Sequence, residues 1–262
     1  MTEIAPDLIL FLFAAAFLAG FIDSIAGGGG LIAIPALLLA GLPPLETLGT
    51  AKLQALFGSG SAAYAYRRKG YVEFKSVFPM SCLSFVGAVF GALLAIVLPV
   101  EFLEGGLTLL LVVIAVYFAV KPDAGAIDRQ RRLSFTVFGA TFIPAIAFYD
   151  GLFGPGAGSF YMLAFVSLAG FNMLKATAHT KVVNFASNVG GLLVFLVSGA
   201  ILWKVGFIMG VGQICGSLLG SRLAIKRGAK IIRPLLVVTC IAMALNLLRN
   251  QDSPVYRWLG MG

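Results

Sequence analysis

The stretch FIDSIAGGGG, residues 21–30, constrains this chain more than any other. An apolar segment runs into it, Asp23 stands inside it, and Gly27, Gly28, Gly29 and Gly30 close it before a second apolar segment begins at Leu31. Each glycine costs a helix about 1 kcal/mol relative to alanine, so four in succession predict a break. Flanks this apolar place the break in a bilayer, where freed N–H and C=O groups are tolerated only against protein or a watered cavity. The stretch therefore reads as an interrupted membrane helix at a site.

The pattern recurs at residues 149–170, YDGLFGPGAGSFYMLAFVSLAG. Asp150 matches Asp23, Gly154 matches Gly27 and Gly156 matches Gly29; after a two-residue shift, Gly170, Lys181 and Gly199 match Gly41, Lys52 and Gly70. Acid, glycines and lysine keep one order over about fifty residues. This predicts two repeat halves, 8–120 and 134–249, joined by a basic linker, 121–133, within a single membrane transport domain.

Of the 262 residues, 60% are hydrophobic and 11% charged, with a mean hydropathy of +0.99. Soluble domains carry about 25% charged residues, so the expected class is an all-α polytopic membrane protein. The net charge of +8 fits loop charges that set orientation, and no nucleic-acid partner is expected. Cys82, Cys215 and Cys240 each lie in an apolar segment with no Cys-x-x-Cys spacing, and are expected to be small buried hydrophobes.

Apolar segments fall at 8–26, 30–41, 48–66, 76–98, 102–120, 134–149, 157–170, 176–198, 201–221 and 232–248. A full span needs about 20 residues. The segments 30–41 and 157–170 are too short for that and occupy matching places, a pointer to a transporter site at a repeat interface. The expectation is about eight full transmembrane helices plus two short broken or re-entrant ones. Counting all ten as crossings with the N-terminus outside puts 15 of the 19 Lys and Arg in inner loops. The 66–76, 121–133 and 222–233 loops are then cytoplasmic and the C-terminus lies outside.

Asp23 and Asp150, acids in apolar flanks, should face a cavity or a partner; they either couple protons or hold the glycine turns. Gly27–Gly30 and the glycines Gly154, Gly156 and Gly158 precede the short helices. Helix N-termini there favour an anion, although glycine also serves close packing. Lys52 and Lys181, expected at the starts of their helices, either snorkel to the interface or meet substrate. Lys181, Asn184 and Asn188 share one helix face, and Gln54 follows Lys52. His179, the only histidine, is a proton relay or a structural residue. No cluster has metal-ligand spacing and no serine has triad partners, so no metal, cofactor or enzyme is expected.

The segments FIDSIAGGGGLIAIPAL, GTAKLQALFGS, YDGLFGPGAGSFYMLAF, KATAHTKVVNFASNVGGLLVF and GSRLAIKRGAKIIRPLLVV resemble the TauE/SafE family of bacterial membrane permeases, over essentially the whole chain. The resemblance implies a multi-pass protein of the bacterial inner membrane that exports or imports small sulfur-containing anions such as sulfite or organosulfonates. The residues themselves agree with a small anionic substrate bound between the halves by Lys52, Lys181 and the glycine breaks, with protons as candidate coupling ions and a homo-oligomer permitted. An anion channel and a non-transporting membrane scaffold are the alternatives.

Overall fold

The computed structural model describes residues 6–99, 102–103 and 133–227. These hold eight helices and no strand: α1 (Pro6–Ala26), α2 (Gly30–Leu39), α3 (Pro44–Arg68), α4 (Phe74–Val97), α5 (Phe135–Leu152), α6 (Ala157–Ser167), α7 (Met173–Val197) and α8 (Trp203–Arg227). Their starts and stops follow local chemistry. Pro44 opens α3 at a position where its missing N–H costs nothing. Ser134 and Asn172 cap α5 and α7, their side chains accepting from the Val137 and Lys175 N–H groups. Helices α1, α2, α3, α5, α6 and α7 each end at or near a glycine of positive φ: Gly27, Gly41, Gly70, Gly154, Gly170 and Gly199.

Among the described residues, five helices, α1, α4, α5, α7 and α8, are long and apolar enough to cross a membrane. That is fewer than the eight full spans expected. The segments 102–120 and 232–248, apart from Phe102 and Leu103, lie outside the described residues, as do Cys240, the 121–132 part of the linker and the C-terminus. Helix α3 has 25 residues, about 37 Å of length, but its polar stretch keeps it out of the apolar set. Helices α2 and α6, with 10 and 11 residues, reach only about 15–17 Å. They end at opposite faces of the bundle. The turn after α2 leads into α3, whose Thr50 hydroxyl accepts from the Leu202 N–H. Leu168, just after α6, accepts from the Leu133 N–H, and Lys175 nearby contacts Glu73 at the far end of α3.

The packing crosses between the two halves of the chain. Helix α1 lies on α8, α5 lies on α4, and α3 and α7 pack on each other in the middle. Glycines spaced four apart allow the outer contacts. A Cβ on Gly87 or Gly91 of α4 would sit 2.4 or 1.9 Å from the carbonyl oxygens of Pro144 and Phe148; on Gly216 or Gly220 of α8 it would meet those of Phe17 and Phe21 at 1.9 and 2.3 Å. The outer surface is apolar, with Phe78, Val86, Phe90, Phe207 and Val211 exposed. Cys82 and Cys215 stand on that surface and are exposed, which corrects the expectation of buried cysteines. An apolar helix facing lipid carries the same composition as one facing a core, so composition could not separate the two.

Candidate functional site

The two glycine breaks touch. Gly27 has φ +84°, and a Cβ there would lie 2.3 Å from the Gly158 carbonyl carbon; a Cβ on Gly158 would lie 2.5 Å from the Gly27 carbonyl oxygen. Backbone meets backbone with no room for a side chain. The Ser159 hydroxyl donates to the Ala26 carbonyl oxygen at 3.0 Å, satisfying an acceptor freed by the break. Asp23 Oδ1 accepts from the Gly29 N–H at 3.3 Å, and the Tyr149 hydroxyl donates to the Pro155 carbonyl oxygen. The N–H groups of Gly30 and Gly158, at the starts of α2 and α6, donate to no group among the described residues. Both short helices thus present positive ends near one point.

Each break carries its own aspartate and receives a lysine from the other half of the chain. Lys52 Nζ lies 2.7 Å from Asp150 Oδ1, and Lys181 Nζ lies 2.8 Å from Asp23 Oδ2. The Ser187 hydroxyl donates to the second Asp150 oxygen. Both lysines occupy the ninth position of their helices. They sit two turns in, not at the helix starts expected, because α3 and α7 begin earlier than the apolar runs do. Neither snorkels: Lys52 is 4% exposed and Lys181 is 0% exposed. Isolated charges at this depth would be severely penalised, and each lysine is offset by a carboxylate from the other half.

A cavity of about 40 Å³ opens at this junction. That is room for a few waters or a small polyatomic ion, one water needing about 10–15 Å³. Of the residues expected at a site, Asp23, Gly27, Gly29, Gly30, Lys52, Gln54, Asp150, Gly154, Gly156, Gly158, Asn184 and Asn188 line it. Gly28, Lys181 and His179 do not. Lys181 stands behind Asp23 with no exposed surface. Asn188 Nδ2 donates to Asn184 Oδ1 at 2.6 Å and to the Ser59 hydroxyl at 3.3 Å, so the face shared by these residues is a built hydrogen-bond row. The buried Gln54 Oε1 has no partner among the described residues.

Gln213 of α8 also lines the cavity and was not legible beforehand. It is 2% exposed and threads between α1 and α3, where a Cβ on Gly20 or Gly58 would lie 2.8 or 2.2 Å from Gln213 Oε1. The available signal was a single amide within the apolar, glycine-rich middle of α8.

His179 is fully buried away from the cavity. Its Nε2 accepts from the Glu73 N–H at 3.3 Å, and its Nδ1 lies 2.8 Å from the Lys175 carbonyl oxygen. Those contacts require a neutral ring with the proton on Nδ1. Thr50 makes the corresponding contact with the Leu202 N–H at 3.0 Å, 129 residues away from each partner in the other half. Thr50 therefore anchors the start of α8 and His179 the start of α4, each a helix of the other half. His179→Gln is expected to lower the thermal midpoint by a few degrees, about 1 kcal/mol, while leaving flux through reconstituted protein near wild type. Lost flux with an unchanged midpoint would restore the relay reading.

Among the described residues, five helices long and apolar enough to cross a membrane define a multi-pass membrane protein. The family model described as Sulfite exporter TauE/SafE matches residues 12–247, and the chain belongs to the TauE/SafE family. It is 58% identical over 260 residues to "Probable membrane transporter protein ORF9" of Sinorhizobium sp, covering 99% of this chain and 100% of that one. It is 46% identical over 259 residues to "Probable membrane transporter protein YfcA" of Escherichia coli (strain K12), covering 98% and 96%. A more distant relative, "Probable membrane transporter protein YdhB" of Bacillus subtilis (strain 168), is 25% identical over 219 residues, covering 82% and 88%. No solved structure matches the chain.

Proposed function

We propose that the protein is a secondary transporter of a small oxyanion, sulfur-containing as the family description suggests, which binds between the two glycine breaks. The observation that carries this reading is the cavity itself. One buried lysine, two helix N-termini with free N–H groups and several carboxamides converge, alongside the lysine-paired Asp23 and Asp150, on a space sized for a small ion. Such groups favour negative charge.

Two inverted repeats working by alternating access complete the proposal. Support comes from contacts that recur in pairs: the crossed lysine–aspartate bridges, the positive-φ glycines and the Thr50 and His179 anchors. The glycine contacts of α4 on α5 and of α8 on α1 recur in the same way. Rocking one half against the other would expose the junction to each side in turn. We place the protein in the bacterial inner membrane, with the 66–76 and 222–233 loops cytoplasmic and the C-terminus outside. A C-terminal reporter active only outside the cytoplasm should give signal, and one active only in the cytoplasm should be silent; the opposite pair of results reverses the orientation.

Flux into liposomes containing the purified protein tests the function. Saturable movement of one or more of sulfite, thiosulfate and methanesulfonate is expected. Unsaturable flux would make the protein a channel, and absence of flux for all three would remove the anion reading.

A further inference from the structure

The two lysine–aspartate bridges have matching geometry but different surroundings. Lys52 and Asp150 both line the cavity, whereas Lys181 is sealed behind Asp23. Next to the Asp23 end of the Lys181 bridge the space is filled: Tyr66 is fully buried and its hydroxyl donates to the Ser24 carbonyl oxygen at 2.7 Å. Only the Lys52 bridge is placed where an incoming ion could reach the ammonium.

An anion entering this site meets a difficulty of charge. Lys52 and Asp150 together are neutral, and Lys181 with Asp23 are neutral again. A monoanion added to them leaves one uncompensated negative charge inside the bilayer, beside two carboxylates, which is severely penalised. Its natural partner, the Lys52 ammonium, is already held by Asp150 at 2.7 Å. Protonating Asp150 removes both obstacles. The carboxylate takes a proton from the water on the open side and becomes a neutral acid, Lys52 keeps its proton and its charge, and the ammonium's hydrogen bond passes from Asp150 Oδ1 to the anion. Charge in the site is zero before and after.

We propose that Asp150 carries one proton with each monoanion, so that transport is proton-coupled and electroneutral, while Asp23 remains the ionised brace of the first break. This rests on the anion reading above. The groups around Asp150 suit the role. Besides Lys52 of α3, the titratable groups facing it are Tyr149 on its own helix, Tyr161 of α6 and, across the cavity, Asp23 of α1. Helix α7 contributes the Ser187 hydroxyl, and α4 contributes Ser84 through Tyr161. Asp150 is thus the cavity carboxylate whose ammonium partner also lines the cavity, while the partner of Asp23 is sealed away.

The test uses proteoliposomes enclosing a pH-sensitive dye, with sulfite, thiosulfate and methanesulfonate added outside; methanesulfonate keeps its charge fixed across the neutral range. In the wild type, methanesulfonate or another transported monoanion should acidify the lumen with one proton per anion. An inward proton gradient should concentrate the anion inside, and apparent affinity should fall as pH rises, by about tenfold per pH unit at its steepest, as one-proton linkage requires. Asp150→Asn keeps an oxygen for Lys52 and a partner for Ser187. It should retain anion exchange, lose luminal acidification and lose the pH dependence. Anion flux in the wild type without proton movement would overturn the proposal and leave the anion reading standing, and that arm decides the matter even if Asp150→Asn does not fold. Gradient-driven accumulation by Asp150→Asn would overturn it as well. If none of the three anions moves, the anion reading itself fails, and the proposal with it.

Discussion

Lys181→Gln should destabilise the folded protein by about 3–5 kcal/mol, because it leaves Asp23 inside the bundle without its cation. The environment sets this size. Lys181 is 0% exposed, its Nζ lies 2.8 Å from Asp23 Oδ2, and the other Asp23 oxygen is committed to the Gly29 N–H. The cavity reaches Asp23 but not the ammonium. Asp23→Asn combined with Lys181→Gln should recover much of the loss, since two neutral amides can hydrogen-bond where an unpaired carboxylate cannot. Thermal unfolding in detergent of the two single variants and the double variant gives the coupling directly. A double variant as unstable as the sum of the singles would show that the bridge contributes nothing to the fold.

Gly27→Ala should abolish flux and lower the yield of folded protein. Two independent effects add. The residue has φ +84°, which disfavours any L side chain by about 1–2 kcal/mol. The new Cβ would also lie 2.3 Å from the Gly158 carbonyl carbon, so the tips of the two breaks would have to part. Parting them also shifts Asp23 away from Lys181 and opens the cavity floor. Gly28→Ala is the control. Its nearest neighbour, Leu31 Cδ1, is 3.6 Å from the added Cβ, and the change should stay within about 0.5 kcal/mol. Equal damage at both positions would mean that these glycines serve flexibility, not contact.

The break and its echo were legible because glycine runs and acids are rare inside apolar segments. The helix ends at Gly27, Gly41, Gly70, Gly154, Gly170 and Gly199 follow from the same signal. Pairing was not legible. The sequence places Lys52 level with Lys181 and Asp23 level with Asp150, but contact joins Lys52 to Asp150 and Lys181 to Asp23, across 98 and 158 residues. Equivalence within an internal echo gives correspondence between positions and says nothing of which positions touch. The lysines looked terminal because α3 and α7 begin with polar turns that an apolar scan trims, although Pro44 and Asn172 mark the true starts. Gln213 escaped for a related reason. Its notch is made by Gly20 and Gly58 on two other helices, and no local pattern signals a groove formed by distant glycines.

Binding of the transported anion to purified protein, measured calorimetrically on wild type, Lys52→Gln and Lys181→Gln, tests the central claim most directly. Lys52 lines the cavity and Lys181 does not. The account predicts that Lys52→Gln weakens affinity by more than tenfold, the equivalent of about 2 kcal/mol or more. In whatever fraction of Lys181→Gln folds, affinity should stay within a few-fold of wild type. Wild-type affinity in a well-folded Lys52→Gln protein would contradict it, and would remove the anion from the junction of the two breaks.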